Sequence, residues 1–422
     1  MNIVEKILVK GGKKLNGEVK ISTAKNSVLP IIAACLLCKG TNIIENVPML
    51  EDVFVLCEVL RALNADVNID ILNEKLIVNT ENIKNIEPPS ELVKKMRASF
   101  LIMGPMLSRF GKFRITLPGG CNIGTRPIDL HLKGFTFLGV KIDLGHGFVD
   151  ASANKIIGNT IYLDFPSVGA TENIIMASVL ADGETIIGNC AAEPEIEDLA
   201  NFLNDMGAKI IGAGTDTIKI FGVKELRGVV YRPIFDRIEA GTFMVAAAIT
   251  NSAIKINGIN QEHMRPIIAK LSEMGVILNT YGNSVIVDAT RKLRPVDIKT
   301  MPYPGFPTDM QAQIMSLLSV LSGTSVVTET IFENRFMHAS ELKRMGADIK
   351  IDGRSAIIRG VNKLTGTEVK ATDLRAGAAM ILAGLVAEGN TIINDIYHID
   401  RGYVEIEKKL KGLGANIERI ME

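Results

Sequence analysis

Apolar and polar positions along the chain follow a pattern that recurs six times. An apolar residue is followed by Gly (Asn in one copy), then Ala or Val, a variable residue and an aliphatic one. The copies are Leu63-Asn-Ala-Asp-Val, Leu138-Gly-Val-Lys-Ile, Met206-Gly-Ala-Lys-Ile, Met274-Gly-Val-Ile-Leu, Met345-Gly-Ala-Asp-Ile and Leu413-Gly-Ala-Asn-Ile, at intervals of 75, 68, 68, 71 and 68 residues. Each follows a stretch with apolar residues three and four apart, such as Glu197-Asp-Leu-Ala-Asn-Phe-Leu-Asn-Asp-Met, the spacing of one helix face. The glycine ends that helix and a strand begins.

A second helix opens each unit, with heads near Lys25, Arg97, Thr171, Thr242, Asp309 and Arg375, 72, 74, 71, 67 and 66 residues apart. Small or capping residues mark several heads, as in Gly169-Ala-Thr-Glu-Asn, Ala240-Gly-Thr-Phe and Pro307-Thr-Asp-Met. Ala-rich apolar runs follow (Phe243-Met-Val-Ala-Ala-Ala-Ile, Ala376-Gly-Ala-Ala-Met-Ile-Leu-Ala), and such runs suit burial on all sides. Short aliphatic strands such as Glu184-Thr-Ile-Ile and Thr391-Ile-Ile come next. The pattern predicts an α/β protein of six units, each about seventy residues with two helices and several strands. That period is too long for a simple solenoid, so three and three in two domains is the expected grouping.

Composition narrows the function. Lys plus Arg and Asp plus Glu are equal at 47 each, so no global basic field attracts nucleic acid or an acidic membrane, and any anion must be met by a local cluster. The longest apolar runs, such as Leu29–Cys38, fall well short of the ~20 residues of a membrane span. The start Met-Asn-Ile-Val-Glu-Lys has no basic segment leading into an apolar one, and a soluble cytoplasmic protein is expected. Five cysteines, Cys35, Cys38, Cys57, Cys121 and Cys190, are too few and odd in number for a disulfide framework. Cys35 and Cys38 form a Cys-x-x-Cys on an apolar helix end without a second pair, and the five histidines show no ligand spacing. Buried thiols are the better reading, and neither metal nor cofactor is expected.

Candidate chemistry concentrates at residues 118–131, Pro-Gly-Gly-Cys-Asn-Ile-Gly-Thr-Arg-Pro-Ile-Asp-Leu-His. Gly119, Gly120 and Gly124 make it a pliable loop, and Cys121 shares it with Arg126 and Asp129. A thiol beside a cation loses its proton more readily and becomes a better nucleophile. Helix N-termini offer free N–H groups to anions, and several predicted heads also carry suitable side chains: Lys25 and Asn26, Arg97, and Arg375. Arg335, in Phe332-Glu-Asn-Arg-Phe-Met-His, and Arg401, in Tyr397-His-Ile-Asp-Arg-Gly-Tyr, follow in loops. Asp309 has two readings on the residues alone, a general base or a helix cap formed with Thr308.

The Pro-Gly-Gly-Cys-x-Ile-Gly-x-Arg-Pro-x-Asp-Leu-His segment resembles the lid loop of the UDP-N-acetylglucosamine enolpyruvyl transferases, relatives of the EPSP synthases. The likeness runs from Gly17-Glu-Val-Lys-Ile-Ser to Gly414-Ala-Asn-Ile-Glu-Arg. It implies two domains of three units around buried parallel helices, residues 25–233 forming one and 1–24 with 234–422 the other, with the active site in the cleft between them. It also implies the first committed step of peptidoglycan synthesis, transfer of the enolpyruvyl group of phosphoenolpyruvate to the 3′-hydroxyl of UDP-N-acetylglucosamine with release of phosphate. By the resemblance, Lys25, Arg126 and Arg401 hold the phosphate of phosphoenolpyruvate, with Asn26 beside Lys25, while Arg335 and Arg375 hold its carboxylate side. Arg97, Arg126-Pro127-Ile128-Asp129-Leu130, Ser167-Val168-Gly169 and Ile331 match positions around the nucleotide sugar. Asp309 matches the residue that takes the hydroxyl's proton. Cys121 matches the donor to the methylene carbon, which can also add to C2 and is alkylated by the epoxide fosfomycin. Both substrates are polyanions, so several fixed cations are needed, with Arg suited to bidentate contacts.

Two positions depart from the pattern: Thr23 stands where Gly is expected before Ala-Lys-Asn, and Phe165-Pro166 replaces a Lys-Val near the nucleotide. Neither removes a reacting group. The sister reaction on shikimate 3-phosphate lacks the cysteine lid and the Arg-Pro-x-Asp-Leu segment. A catalytically idle, UDP-sugar-binding paralogue would be marked by loss of Cys121, Asp309 or Arg401, and all three are present. A purely structural repeat fits poorly, because interior charged helix heads cost stability without a ligand.

Overall fold

The computed structural model describes residues 5–118, 123–124 and 127–421. They form two compact units. One comprises residues 23–118 and 127–234; the other comprises 5–22 and 235–421 together with Ile123 and Gly124.

Each unit is built from three small sheets and three buried helices. In five of the six sheets a parallel edge pair joins two antiparallel pairings; in the second unit, for example, Ile298–Lys299 runs parallel to Thr324–Thr328, which pairs antiparallel with Ser355–Arg359. The sheet of Lys112–Thr116, Phe148–Ser152 and Lys141–Gly145 has three described strands. The last sheet takes a strand from the other end of the chain. Glu5–Lys10 lies between Asn390–Asn394 and Asn416–Met421, antiparallel to both, with Ile7 facing Ile393 and Arg419.

The recurrent glycine pattern is a helix stop. Helices Glu51–Ala62, Asp129–Phe137, Pro194–Asp205, Gln261–Met274, His338–Arg344 and Ile406–Gly412 each end one or two residues before the Gly or Asn of one copy. The Gly of each copy, and Asn64 where Gly is missing, has a φ between 75° and 108°. This left-handed conformation satisfies the last carbonyls and turns the chain into the next strand.

The inner helices are Lys25–Ala34, Met103–Phe110 and Val168–Ser178 in one unit, and Arg237–Ile249, Gln311–Leu318 and Leu374–Gly384 in the other. They carry almost no exposed face, which explains their small residues: close helix approach leaves no room for large ones. A Cβ on Gly104 would lie 2.3 Å from the carbonyl oxygen of Asn173 on the neighbouring helix. Several heads differ from the expected positions. Asp236 accepts from the N–H groups of Ile238 and Glu239, starting its helix at Arg237, ahead of Thr242, and Ser167 likewise caps a helix that begins at Val168 rather than near Thr171. Arg97 and Asp309 sit in 3-10 turns, Arg97–Ile102 and Thr308–Met310, that precede the α-helices proper.

A buried carboxylate ties separate segments together within each unit. Asp198 accepts from Tyr231 Oη at 2.6 Å, from the Ile234 N–H at 3.1 Å and from the Ser27 hydroxyl. In the other unit, Glu239 accepts from the Ser22 N–H at 2.7 Å and from Lys409 Nζ, which also reaches Ser22 Oγ at 2.7 Å. Burial pushes both carboxyls above their ordinary range.

Candidate active site

In the unit that contains it, Asp309 is held by two arginines. Its 3-10 turn follows Pro307, and neither that turn nor the helix Gln311–Leu318 has a side-chain cap bond at its N-terminus. The cap reading is therefore set aside. The Asp309 carboxylate faces sideways: Oδ1 accepts from Arg335 Nη2 at 3.0 Å, and Oδ2 accepts from Arg375 Nη2 at 2.9 Å and Nε at 3.3 Å. The arginine side chains are 4% and 3% exposed and that of Asp309 is 26% exposed, so solvent reaches the carboxylate while the cations are walled in.

Each arginine is placed by its backbone. Arg375 is the second residue of Leu374–Gly384, whose head is capped by Asp373 accepting from the Arg375 and Ala376 N–H groups. Burial opposes its charge, yet Asp309, followed by Tyr403 and Asp236, holds the guanidinium above its ordinary pKa. Arg335 stands in the turn before His338–Arg344, its guanidinium 5.5 Å from the centre of the Phe332 ring.

Glu329, 1% exposed, organises the rest of this corner. It accepts from Thr300 Oγ1 and Thr308 Oγ1, both at 2.9 Å, and from the Ile331 and Phe332 N–H groups at 2.8 and 3.2 Å. The turn carrying Asp309 and the loop carrying Ile331 are thus tied to one carboxylate. Nothing in Thr328-Glu-Thr marked that residue beforehand. Arg401 follows the short helix Tyr397–Asp400 and is half-buried.

His338 also went unnoticed in the sequence. Burial lowers its pKa from the ordinary 6.5 to about 4, with Arg335 adding to that and Asp373 opposing it. A histidine buried neutral takes up its proton only on unfolding, so its contribution is complete above pH 6.5 and lost as pH falls towards 4. The expected loss across that window is on the order of 3 kcal/mol. Urea unfolding near pH 7 and near pH 5 should therefore show a steeper acid loss for the native chain than for His338→Phe. Parallel pH dependence of the two would refute this origin.

The other unit holds the remaining candidates. Lys25 is the first residue of its helix, and its Nζ donates to Asp52 Oδ2 at 3.1 Å. Asp52 is buried in the first turn of Glu51–Ala62 and fixes the ammonium; sequence reading had not singled it out. Asn26 follows, half-buried, and the turn opened by Arg97 packs against the same helix. Pro127 is exposed, while Ile128, Asp129 and Leu130 lie at the start of Asp129–Phe137 and Ser167, Val168 and Gly169 at the start of Val168–Ser178. The structure brings these two starts together: a Cβ on Gly169 would be 3.3 Å from the His131 ring, and His131 Nδ1 lies 3.1 Å from Asn173 Nδ2. Cys121 and Arg126 lie outside the described residues.

Among the described residues no three His, Cys, Asp or Glu side chains gather as a metal site, and no helix is long and apolar enough to cross a membrane. Cys35, Cys38, Cys57 and Cys190 are all buried.

Comparison with known proteins fixes the lineage. The profile of EPSP synthase (3-phosphoshikimate 1-carboxyvinyltransferase) matches residues 9–410. A UDP-N-acetylglucosamine 1-carboxyvinyltransferase 2 from Clostridium tetani is 70% identical, over 99% of this chain and 100% of its own. A UDP-N-acetylglucosamine 1-carboxyvinyltransferase 1 from Clostridium acetobutylicum is 66% identical over the same shares. The chain belongs to the EPSP synthase family and, within it, to the UDP-N-acetylglucosamine 1-carboxyvinyltransferases. The crystal structure of the enolpyruvyl transferase NikO from Streptomyces tendae is similar with a TM-score of 0.90 at 27% identity, covering 99% of each chain. EPSP synthase from Acinetobacter baumannii shares the fold, with a TM-score of 0.76 at 19% identity over 99% of this chain and 100% of that one. The architecture is the two-domain enolpyruvyl transferase fold.

Proposed function

We propose that this chain transfers the enolpyruvyl group of phosphoenolpyruvate to the 3′-hydroxyl of UDP-N-acetylglucosamine and releases phosphate, in the cytoplasm, as the first committed step of peptidoglycan synthesis. The observation that carries the reading is full-length membership among the transferases of that name, with every reacting group of the family's pattern present in the sequence.

The chemistry divides among the named side chains. Asp309 accepts the proton of the attacking hydroxyl, and its partly exposed carboxylate, with both oxygens oriented by arginines, suits a positioned base. Arg335 and Arg375 meet the carboxylate side of phosphoenolpyruvate; Lys25, Arg126 and Arg401 meet its phosphate, with Asn26 beside them. Phosphate leaves with the C2–O bond after the sugar oxygen has added to C2. Cys121 gives the proton to the methylene carbon when the double bond becomes a methyl group, and loss of a proton from that carbon restores the enol ether. Arg97, Arg126 to Leu130, Ser167 to Gly169 and Ile331 hold the nucleotide sugar. The helix starts at Asp129 and Val168 supply backbone N–H groups of the kind that bind anions, although the Ala170 N–H is already given to Ser167 Oγ.

A phosphate-release assay with the two acceptors tests the reading. Phosphoenolpyruvate with UDP-N-acetylglucosamine should give one phosphate per acceptor consumed, and shikimate 3-phosphate should give none. Turnover with shikimate 3-phosphate alone would transfer the chain to the sister reaction.

A further inference from the structure

Beneath Asp309 and Arg375 lies a chain of buried hydrogen bonds centred on Tyr403, which is 2% exposed. The Tyr403 hydroxyl is 2.9 Å from Thr242 Oγ1 on Arg237–Ile249 and 3.2 Å from Gln313 Nε2 on Gln311–Leu318. Its ring lies under the Arg375 guanidinium, 5.4 Å from Cζ to the ring centre. One side chain therefore touches all three inner helices of this unit.

Thr242 has a single hydroxyl proton and gives it to the Ile238 carbonyl at 2.8 Å. Tyr403 then donates to Thr242, and Gln313 Nε2 sets one N–H between the Tyr403 oxygen at 3.2 Å and Thr242 Oγ1 at 3.3 Å. Gln313 Nε2 gives its other proton to the Asp309 carbonyl at 2.9 Å. Flipping the Gln313 amide would set oxygen against that carbonyl, so its orientation is fixed. Burial pushes the Tyr403 phenol up, which keeps it protonated and able to donate. The hydroxyl thus reaches the backbone of Asp309 through Gln313, while the ring supports Arg375, whose Nη1 is buried with no hydrogen-bond partner among the described residues.

We infer that Tyr403 is a positioning residue that sets the Asp309 carboxylate and the Arg375 guanidinium in register for phosphoenolpyruvate. The inference rests on the assignment of those two residues to enolpyruvyl transfer. Tyr403 is buried and acts through its neighbours. Its ring supplies a cation–π contact, and its hydroxyl stops the helix heads from sliding against one another. Small misplacements of reacting groups carry large rate costs.

Steady-state kinetics on the full-length chain separate positioning from simple stability. Tyr403→Phe keeps the ring and removes the hydroxyl, and Thr242→Val removes the hydroxyl's acceptor at nearly constant volume. Both should lower kcat/KM for phosphoenolpyruvate, by about tenfold for Tyr403→Phe and less for Thr242→Val, with KM for UDP-N-acetylglucosamine unchanged. Titrated active-site concentration should stay near that of the native chain, with the thermal midpoint lowered by no more than the few degrees that one lost buried hydrogen bond costs. Thr242→Val carries the test if Tyr403→Phe fails to fold. Unchanged kcat/KM for phosphoenolpyruvate in a folded variant, or a loss explained wholly by fewer active sites, overturns the inference alone. A native chain that releases no phosphate from phosphoenolpyruvate and UDP-N-acetylglucosamine overturns the functional reading, and this inference with it.

Discussion

Asp309→Asn is expected to lower turnover by about 10² or more while the chain still folds. The amide has the shape of the carboxylate but cannot accept the hydroxyl's proton. It also places an NH2 group where Asp309 now accepts from a guanidinium at both oxygens, Arg335 on one side and Arg375 on the other. One of those contacts becomes donor against donor, so some loss of stability should accompany the loss of rate. A capping role predicts the opposite, since Asn caps about as well as Asp. The measurements are kcat under saturating substrates and the circular dichroism of the folded variant. A rate close to that of the native chain would remove Asp309 from the chemistry.

Cys121→Ala should abolish turnover, whereas Cys121→Asp should retain a substantial part of it. As a proton donor the thiol can be replaced by another acid, but as a soft nucleophile it cannot. A free thiol titrates at ~8.5, and a cation five residues on in the sequence, Arg126, is expected to bring the thiolate within reach near neutral pH. Fosfomycin should therefore inactivate the native chain with time, faster in the presence of the UDP-sugar, and leave Cys121→Asp untouched. The other four cysteines offer no competition. Burial pushes Cys57 up to about 12 and Cys190 to about 11, and it raises Cys35 and Cys38 as well. Peptide mapping after fosfomycin should find the adduct on Cys121; an adduct elsewhere, or an active Ala variant, would exclude it from the mechanism.

The helix stops were legible because they depend on local chemistry. A left-handed residue after a helix is met by Gly at five of the six positions and by Asn64 at the sixth, so the repeat could be counted from the sequence. The inner helices could be named from their Ala-rich runs but not bounded. The caps Asp236 and Ser167 lie outside the small-residue signals, and the 3-10 turns at Arg97 and Asp309 obey no apolar period. The pairing of Glu5–Lys10 with strands near residues 390 and 420 has no local signature, because hydrogen-bond partners that distant leave no spacing to read.

Among the candidate residues, those that touch charged groups were visible and those that orient them were not. Arg335, Asp309 and Arg375 stand out in the sequence as charged residues at helix heads or in the loop that follows. Asp52, Glu329, Gln313 and Tyr403 make contacts across 21 to 161 residues of chain, and their residue types carry no signal of their own. Gln313 came nearest to detection. It stands four residues after Asp309, one helical turn on, where a side chain can reach back to the Asp309 carbonyl.

The most direct test of the proposed activity is the identity of its product. The chain should be incubated with phosphoenolpyruvate and UDP-N-acetylglucosamine, and the nucleotide sugar examined by mass spectrometry and proton NMR. The proposed reaction yields a species heavier by one enolpyruvyl group, with a geminal vinyl pair and its ether linkage on the 3′-oxygen, formed in step with released phosphate. Phosphate released without that ether, or an ether on another hydroxyl, would contradict it.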